Sequence, residues 1–543
     1  MREPVCERVE RKMGTIGYFQ DTNIYKLTFR MLIFICLMIG LCWLTRGYIM
    51  PVYTLVGVCC ALANQLGWAL IFFVLMPFFV ILNPALVGNE SSVYGMSVRL
   101  GPLLIGLVLA LRGASREGQH RLPFIGIIPF LMIAVVSSAD GWAPQVSYMK
   151  LLNFIIFLFG IWYGTQNLQK RPKDILFLRS FYLALACFLT FGSLATIPFP
   201  GVGYAIGLRQ ALYEGGVALA NEVFKQRQVD SATTLFCGVT NHSQALAPLL
   251  ALSVSWVMCD MLLLERRFRW LHLVIIALAL PLCYLTRSRV GLTSLVAAFV
   301  MSCIYAARKA ELPSRVKAHL NMGLLIGTIV FLFGVVILQA QSGFMSQWIR
   351  KTSDVEADQR TLGEAVTSSR LGLLDYSLYE FRRNPLFGSG FQVAEYTQDI
   401  VRENKGFIIS APIEKGVTPV MILGETGILG EACFLLFLIM FYAGCTRRKY
   451  VVTIALFTVF LVTNFGEATI FSPGGGGGIM WMISVVGGFT IDTYLLYRRQ
   501  LEQQWTSMGF EMAAPAYAMV EDRSGRRRMV VDEHGVKRYG VKG

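Results

Sequence analysis

Runs of about twenty apolar residues, separated by short polar stretches, recur along most of the chain. Each is long enough to cross a bilayer as a helix. A helix also satisfies its own backbone groups where no water is available. The pattern predicts spans at 27–44, 52–63, 66–82, 98–111, 121–139, 146–164, 175–197, 243–264, 270–286, 289–307, 320–340, 420–444, 450–465 and 478–497. The run 52–63 is short and 98–111 is marginal, so the expected number is roughly twelve to fourteen. The fold class expected is all-α, a polytopic transmembrane helical bundle. No period of about 20–50 residues marks a repeat array.

The apolar pattern is interrupted at length in the segment 341–419. Loops of that size inside a compact protein are usually functional. Within it, Leu371, Leu374, Leu378 and Phe381 recur at helical spacing and predict an amphipathic helix over Leu362–Arg383. Asn384-Pro385 should end it, and Gly388 and Gly390 should supply a flexible turn. Arg382 and Arg383, at its far end, are expected to be solvated. The organisation read from the chain is an N-terminal segment 1–26, transmembrane helices over 27–340, the loop 341–419, the last three spans over 420–497, and a basic tail 498–543. The first apolar run follows no small-residue cleavage site, so it reads as an uncleaved span.

Composition agrees with this reading. The chain is 55% hydrophobic and only 15% charged, against about 25% charged in an ordinary soluble domain. A net charge of +15 in a soluble protein would raise nucleic acid as a partner; here the basic residues collect in alternate loops. "RGASREGQHR" (112–121), "KRPKD" (170–174), "ERRFR" (265–269), "RKAELPSRVK" (308–317), "TRRK" (446–449) and "YRRQ" (497–500) all fall on one face. The positive-inside rule makes that face cytoplasmic. The loops 198–242, 341–419 and 466–477 are then extracytoplasmic. The tail "RSGRRR" (523–528) reads as a solvated cytoplasmic segment, and no nucleic-acid partner is expected. The cysteines show neither a disulfide framework nor metal-ligand spacing and read as small buried hydrophobes.

On that topology, "CYLTRSRVGLTSLVAAF" (283–299) places Arg287 and Arg289 at the outer mouth, where few basic residues belong. Arginine at such a position is a functional hypothesis; snorkelling to headgroups is the alternative. Ser288 is placed to cap the helix beginning at Arg289. A positive helix end beside two guanidinium forks suits an anion, phosphate above all. Arg370 leads the loop helix and could turn inward over the mouth. Glu414 and Lys415 lie just before the next span and Glu425 a few residues inside it, where a structural tie to a neighbouring helix or backbone is the expectation. His242 alone of the histidines falls at the mouth. Arg209, in loop 198–242, is a further basic candidate for substrate. Lys150 and Arg179 are the main intramembrane cations, and snorkelling is the simplest account of Lys150. The run "PGGGGG" (473–478) lacks the Lys-Ser/Thr of a phosphate-binding loop and reads as a flexible turn.

"GVTNHSQALAPLLAL", then "LTRSRVGLTSLVAAF", then Ser369-Arg370 through "NPLFGSGF" to "LGETGILG" resembles the O-antigen ligase/polymerase superfamily in order and spacing across about residues 238–432. The resemblance implies glycan transfer outside a bacterial inner membrane from an undecaprenyl-diphosphate-linked oligosaccharide. By position, Arg289 and Arg370 match the family's two arginines that hold the leaving diphosphate. Arg287, Ser288, Lys415 and Arg209 are carried as substrate-binding candidates. O-antigen ligases also have a histidine about ten residues before the glutamate of the closing Glu-x-Gly-x-x-Gly. Here that region reads "EKGVTP", which counts against a lipid A-core ligase and favours a polymerase of repeat units for exopolysaccharide or O-antigen. Glu414 and His242 are then the candidates for the base. No cofactor and no metal are expected. The expected partners are the lipid-linked donor, a glycan acceptor and membrane lipids, with chain-length regulators or export proteins as further candidates. A ligase to lipid A-core or protein is the second reading, and a flippase for the lipid-linked unit the reading from another class.

Overall fold

The computed structural model describes residues 24–87, 92–114, 122–166, 168–205, 235–265, 269–309, 374–395, 417–507, 519–521 and 527–529. It is all-α and polytopic. In chain order the main helices are α1 (Ile24–Leu44), α2 (Met50–Leu62), α3 (Leu66–Ile81), α4 (Ser92–Ala114), α5 (Ile127–Ala139), α6 (Pro144–Thr165), α7 (Pro172–Cys187), α8 (Ser243–Cys259), α9 (Trp270–Leu285) and α10 (Arg289–Lys309). They continue with α11 (residues 374–383), α12 (Thr418–Arg448), α13 (Val451–Asn464), α14 (Gly476–Trp481) and α15 (Gly488–Ser507). π-helical turns at Phe188–Gly192 and Asp260–Glu265 extend α7 and α8, and one at Met482–Gly487 joins α14 to α15. Seven helical stretches are long and apolar enough to cross a membrane, and six shorter apolar helices accompany them among the described residues. Every span expected within those residues is a helix, and the marginal run 98–111 lengthens to Ser92–Ala114. The expected span 320–340 and the first part of the loop helix lie outside the described residues.

The unit Asn23–Thr493 holds all of these helices up to the start of α15. Beyond it, an antiparallel pair joins Met519–Glu521 to Arg527–Met529. The only other strand pairing among the described residues is the two-residue one of Tyr204–Ala205 with Leu235–Phe236.

Burial sorts the bundle into centre and rim. The stretch Ser243–Leu264 is 94% buried, whereas the apolar windows of α1 and α12 are 33% and 28% buried. Lipid solvates leucine as well as another helix does, so rim helices keep apolar surface and central ones associate through small residues and hydrogen bonds. Helices α8 and α10 illustrate this. They run parallel, with Gly291 so close to Ala247 that an added Cβ would lie 2.1 Å from the alanine Cβ. Further along, the hydroxyls of Ser255 and Ser302 are 2.7 Å apart.

The intramembrane cation Arg179 proves to be fully engaged. Its Nε and one terminal nitrogen donate to the two oxygens of Asp260 at 2.7 and 3.1 Å, while His272 Nε2 lies 3.0 Å from Asp260. A buried arginine without a counter-charge would cost several kcal/mol. The pairing therefore gives Arg179 a structural account tying α7, α8 and α9 together.

The charge asymmetry predicts which way the bundle sits. Cysteines substituted at Glu395 and Gly474 should react with a membrane-impermeant thiol reagent applied to intact cells, above the background of the parent chain. Those at Lys173 and Arg447 should react only after the membrane is opened. Protection of position 395 in intact cells would reverse the orientation.

Candidate functional site

Three connections between helices approach one another through close contacts. The first is the turn between α9 and α10. Arg287 adopts a left-handed conformation, φ 50°, which lets the chain reverse within three residues. Its N–H donates to the Tyr284 carbonyl, and the Ser288 N–H donates to Thr286 Oγ1. Ser288 is buried and caps α10 as expected, its Oγ accepting from the Gly291 N–H at 3.1 Å. Arg289 is therefore the first residue of α10 and is partly buried, as is Arg287. A cation at a helix N-terminus opposes the macrodipole by about 0.3–1 kcal/mol. Stability alone does not favour that placement, and an anion bound there would relieve it.

The second connection opens α8. His242 is its N-cap, with Nδ1 accepting the Gln244 N–H at 3.0 Å. Because α8 and α10 run parallel, with Gly291 against Ala247 and Ser302 against Ser255, His242 and Arg289 begin neighbouring helices at the same end. The tautomer follows from the cap. A nitrogen that accepts a backbone N–H carries no proton, so neutral His242 carries its proton on Nε2 and presents a donor there. That arrangement suits an anion and leaves no lone pair for a base.

The third connection links α13 to α14. Asn464 is buried, and its Oδ1 accepts from the N–H groups of Thr469 and Ile470 at 2.9 and 2.8 Å and from Thr418 Oγ1 at 3.3 Å. One amide thus holds the loop and the start of α12. Ser294 and Thr463 share a 2.8 Å hydrogen bond between α10 and α13. A Cβ on Gly466 would lie 2.1 Å from a methyl of Val290, so the loop passes directly against the first turn of α10. Within the run 473–478, whose glycines suggest a flexible turn, the last two are closely packed. A Cβ on Gly477 would fall 1.8 Å from the Thr469 carbonyl oxygen, and one on Gly478 2.1 Å from that of Pro473. Small residues are needed there because α14 starts in contact with its own incoming loop.

The segment 374–395, the outer segment of the expected topology, is seated on a break in α12. Gly427 has φ 66° and ψ −171°, which opens the helix and strands four backbone groups. The segment replaces both lost helix bonds on both sides. Gly424 and Glu425 carbonyls accept from the Ser389 and Gly390 N–H groups at 2.9 and 3.0 Å, while Ile428 and Leu429 donate to Pro385 and Leu386 at 2.9 and 3.4 Å. Ser137 Oγ also donates to the Glu425 carbonyl. Stranded backbone groups within an apolar bundle would cost several kcal/mol each, so the break and the segment require one another. Gly388 (φ 72°) and Gly390 (φ 110°) are wedged rather than flexible, because a Cβ on Gly388 would lie 2.3 Å from the Glu425 carbonyl carbon.

Helix α6 grips the same segment from the other side. Ser147 donates to the Phe391 carbonyl at 2.7 Å, and Lys150 donates to that of Gln392 at 2.7 Å. Lys150 is buried, so it anchors the segment instead of snorkelling. Arg383 is not merely solvated either: its guanidinium lies 4.2 Å from the centroid of the Trp142 ring, a cation–π contact. Phe391 packs into a cluster with Phe130, Phe154 and Phe471, the last reaching in from the α13–α14 loop. Within the segment the Glu395 N–H donates to Tyr376 Oη at 2.8 Å. Burial pushes the Tyr376 phenol up, and the Glu380 carboxylate adds to this. Glu425 is buried at the break, as a structural tie would require.

Of the site residues expected from sequence, Arg287, Ser288, Arg289 and His242 are brought to one end of the bundle. Arg370, Glu414, Lys415 and Arg209 lie outside the described residues. The position of Arg370 is four residues before α11, and that of Glu414 four before α12. Asn464, Tyr376, Glu380 and Trp142 escaped the sequence reading, since a lone polar residue in an apolar chain does not reveal its partners.

The fold and this end define a polytopic helical membrane protein in which a docked outer segment and a capped arginine turn share one face. Residues 274–435 match the family model described as O-Antigen ligase, and that segment supports a relation to the O-antigen ligase/polymerase superfamily. The match runs from α9 through the arginine turn and the outer segment to the break in α12. It therefore contains Arg287, Arg289, Arg370, Glu414 and Lys415, but not His242 or Arg209. No curated protein matches the chain.

Proposed function

We propose that the chain is an inner-membrane glycan polymerase that transfers an undecaprenyl-diphosphate-linked oligosaccharide onto another lipid-linked repeat unit, with its site on the periplasmic face. The observation that carries this reading is Arg289 at the capped start of α10, two residues after Arg287, with His242 opening the neighbouring helix α8. A lipid diphosphate is a good leaving group whose charge grows in the transition state, and fixed donors aimed at that charge lower the barrier. Arg289 and Arg370 would hold the diphosphate, with Arg287 and Ser288 shaping the turn that presents it. Chain-length regulators or export proteins would be its partners.

A ligase passing glycan to lipid A-core or protein uses the same donor chemistry. The missing histidine in "EKGVTP" (414–419) favours the polymerase over it. A flippase would need cations along a central path. Lys150 and Arg179 are both buried and bound to protein groups, which counts against that use of either.

Deletion of the chain from its host, followed by analysis of lipid-linked glycans, tests the reading. The expected result is accumulation of single repeat units. Accumulation of long lipid-linked chains would make it a ligase, and loss of units from the outer leaflet would make it a flippase.

A further inference from the structure

We propose that Glu467, in the loop between α13 and α14, is the base that takes the proton of the acceptor hydroxyl. The inference rests on the transfer reaction proposed above and assigns a residue to its open step. Transfer removes one proton: the acceptor oxygen bonds to the anomeric carbon, the carbon–oxygen bond to the diphosphate breaks, and the electron pair leaves with the lipid diphosphate. The hydroxyl proton passes to the Glu467 carboxylate and from there to water.

Three observations point to this residue. First, the cap on α8 removes His242 from the role, because its Nδ1 lone pair is committed to the Gln244 N–H. Second, Glu467 follows Gly466, whose Cα packs against Val290 in the first turn of α10. The Glu467 N–H donates to Thr463, and Thr463 is bonded to Ser294 of α10. A carboxylate is thereby carried to the helix start that bears Arg289. Third, the loop bridges the two halves of the site. Asn464 pins its beginning to the start of α12, and Phe471 anchors its end beside Phe391 of the docked segment. Glu467 is only partly buried, so an acceptor can reach it.

The other described carboxylates near the docked segment are placed differently. Glu425 at the break in α12 and Glu380 in α11 are each 1% exposed, Asp140 follows α5, and Asp375 and Glu395 lie in the segment itself. None is carried by an element that packs on the first turn of α10 through a contact like that of Gly466.

The test uses the full-length protein reconstituted with lipid-linked donor. Glu467→Gln should lower the transfer rate by about 10²–10⁴ at matched protein level, while binding undecaprenyl diphosphate as wild type does. Glu467→Ala should lose as much and recover partly with added formate, which a merely structural carboxylate would not permit. Full activity in Glu467→Gln, or loss of activity in Glu414→Gln with Glu467→Gln unaffected, overturns the assignment while leaving the polymerase reading intact. Weakened undecaprenyl diphosphate binding in Glu467→Gln without formate rescue of Glu467→Ala also overturns it, since the carboxylate would then be shaping the donor site. A wild-type protein that transfers no glycan from that donor overturns the reaction and this role with it.

Discussion

Arg289→Lys and Arg370→Lys should each reduce polymer output by about a hundredfold or more, the scale of removing one fixed donor to a developing oxyanion. Lysine keeps the charge but replaces a planar two-pronged fork with a point donor, so it cannot grip two phosphate oxygens in one orientation. Arg289 is the more constrained of the two. It opens α10 directly after a buried cap, and its backbone position is held by Ser288, Gly291 and the Gly466 contact on Val290. If both arginines act on one leaving group, the double variant should lose less than the product of the single losses. Arg287→Lys should be milder, because that residue sits before the cap in a left-handed turn rather than on the helix. Output must be compared at matched protein level, with undecaprenyl diphosphate binding measured separately. Wild-type polymer from either single lysine variant would reduce that arginine to a headgroup contact.

Gly427→Ala and Gly388→Ala are expected to dislodge the outer segment and abolish activity. Both glycines occupy positive φ, and the added methyl at Gly427 would lie 2.3 Å from the Leu386 backbone, that at Gly388 2.3 Å from the Glu425 backbone. Neither neighbour is a flexible side-chain end that can swing away. Backbone strain and overpacking together should cost about 2–5 kcal/mol, read as earlier thermal unfolding in detergent and faster proteolysis within the outer segment. Gly474→Ala is the control, since a Cβ there meets nothing within 4 Å, and it should behave as wild type. Unchanged stability and activity in Gly427→Ala would mean that the helix break does not depend on the segment seated in it.

Hydrophobic pattern alone located nearly every membrane helix, because a run of apolar residues long enough to cross lipid has few alternatives. The predicted runs 243–264 and 289–307 correspond to Ser243–Cys259 with its π-helical turn and to Arg289–Lys309. Ser288 as a cap was legible for a similar reason, since capping reaches only two or three residues along the chain. What misled the sequence reading were residues whose meaning depends on distant partners. Lys150 looked like a snorkelling cation until Gln392, 242 positions away, supplied a carbonyl. Gly388, Gly390, Gly477 and Gly478 looked flexible because glycine permits freedom, whereas here it permits contact.

The same distinction separates what each level decided about the site. Local chemistry in the sequence determined that two arginines flank a capping serine at a helix start, and that a long polar segment follows. Only the tertiary structure decided that α8 and α10 begin side by side, that His242 spends its lone pair on a cap, and that Glu467 passes the first turn of α10. It also decided that the outer segment repairs a break in α12. Spans and caps depend on residues within a few turns of one another, while a site at the meeting of several helices depends on which small residues let those helices approach.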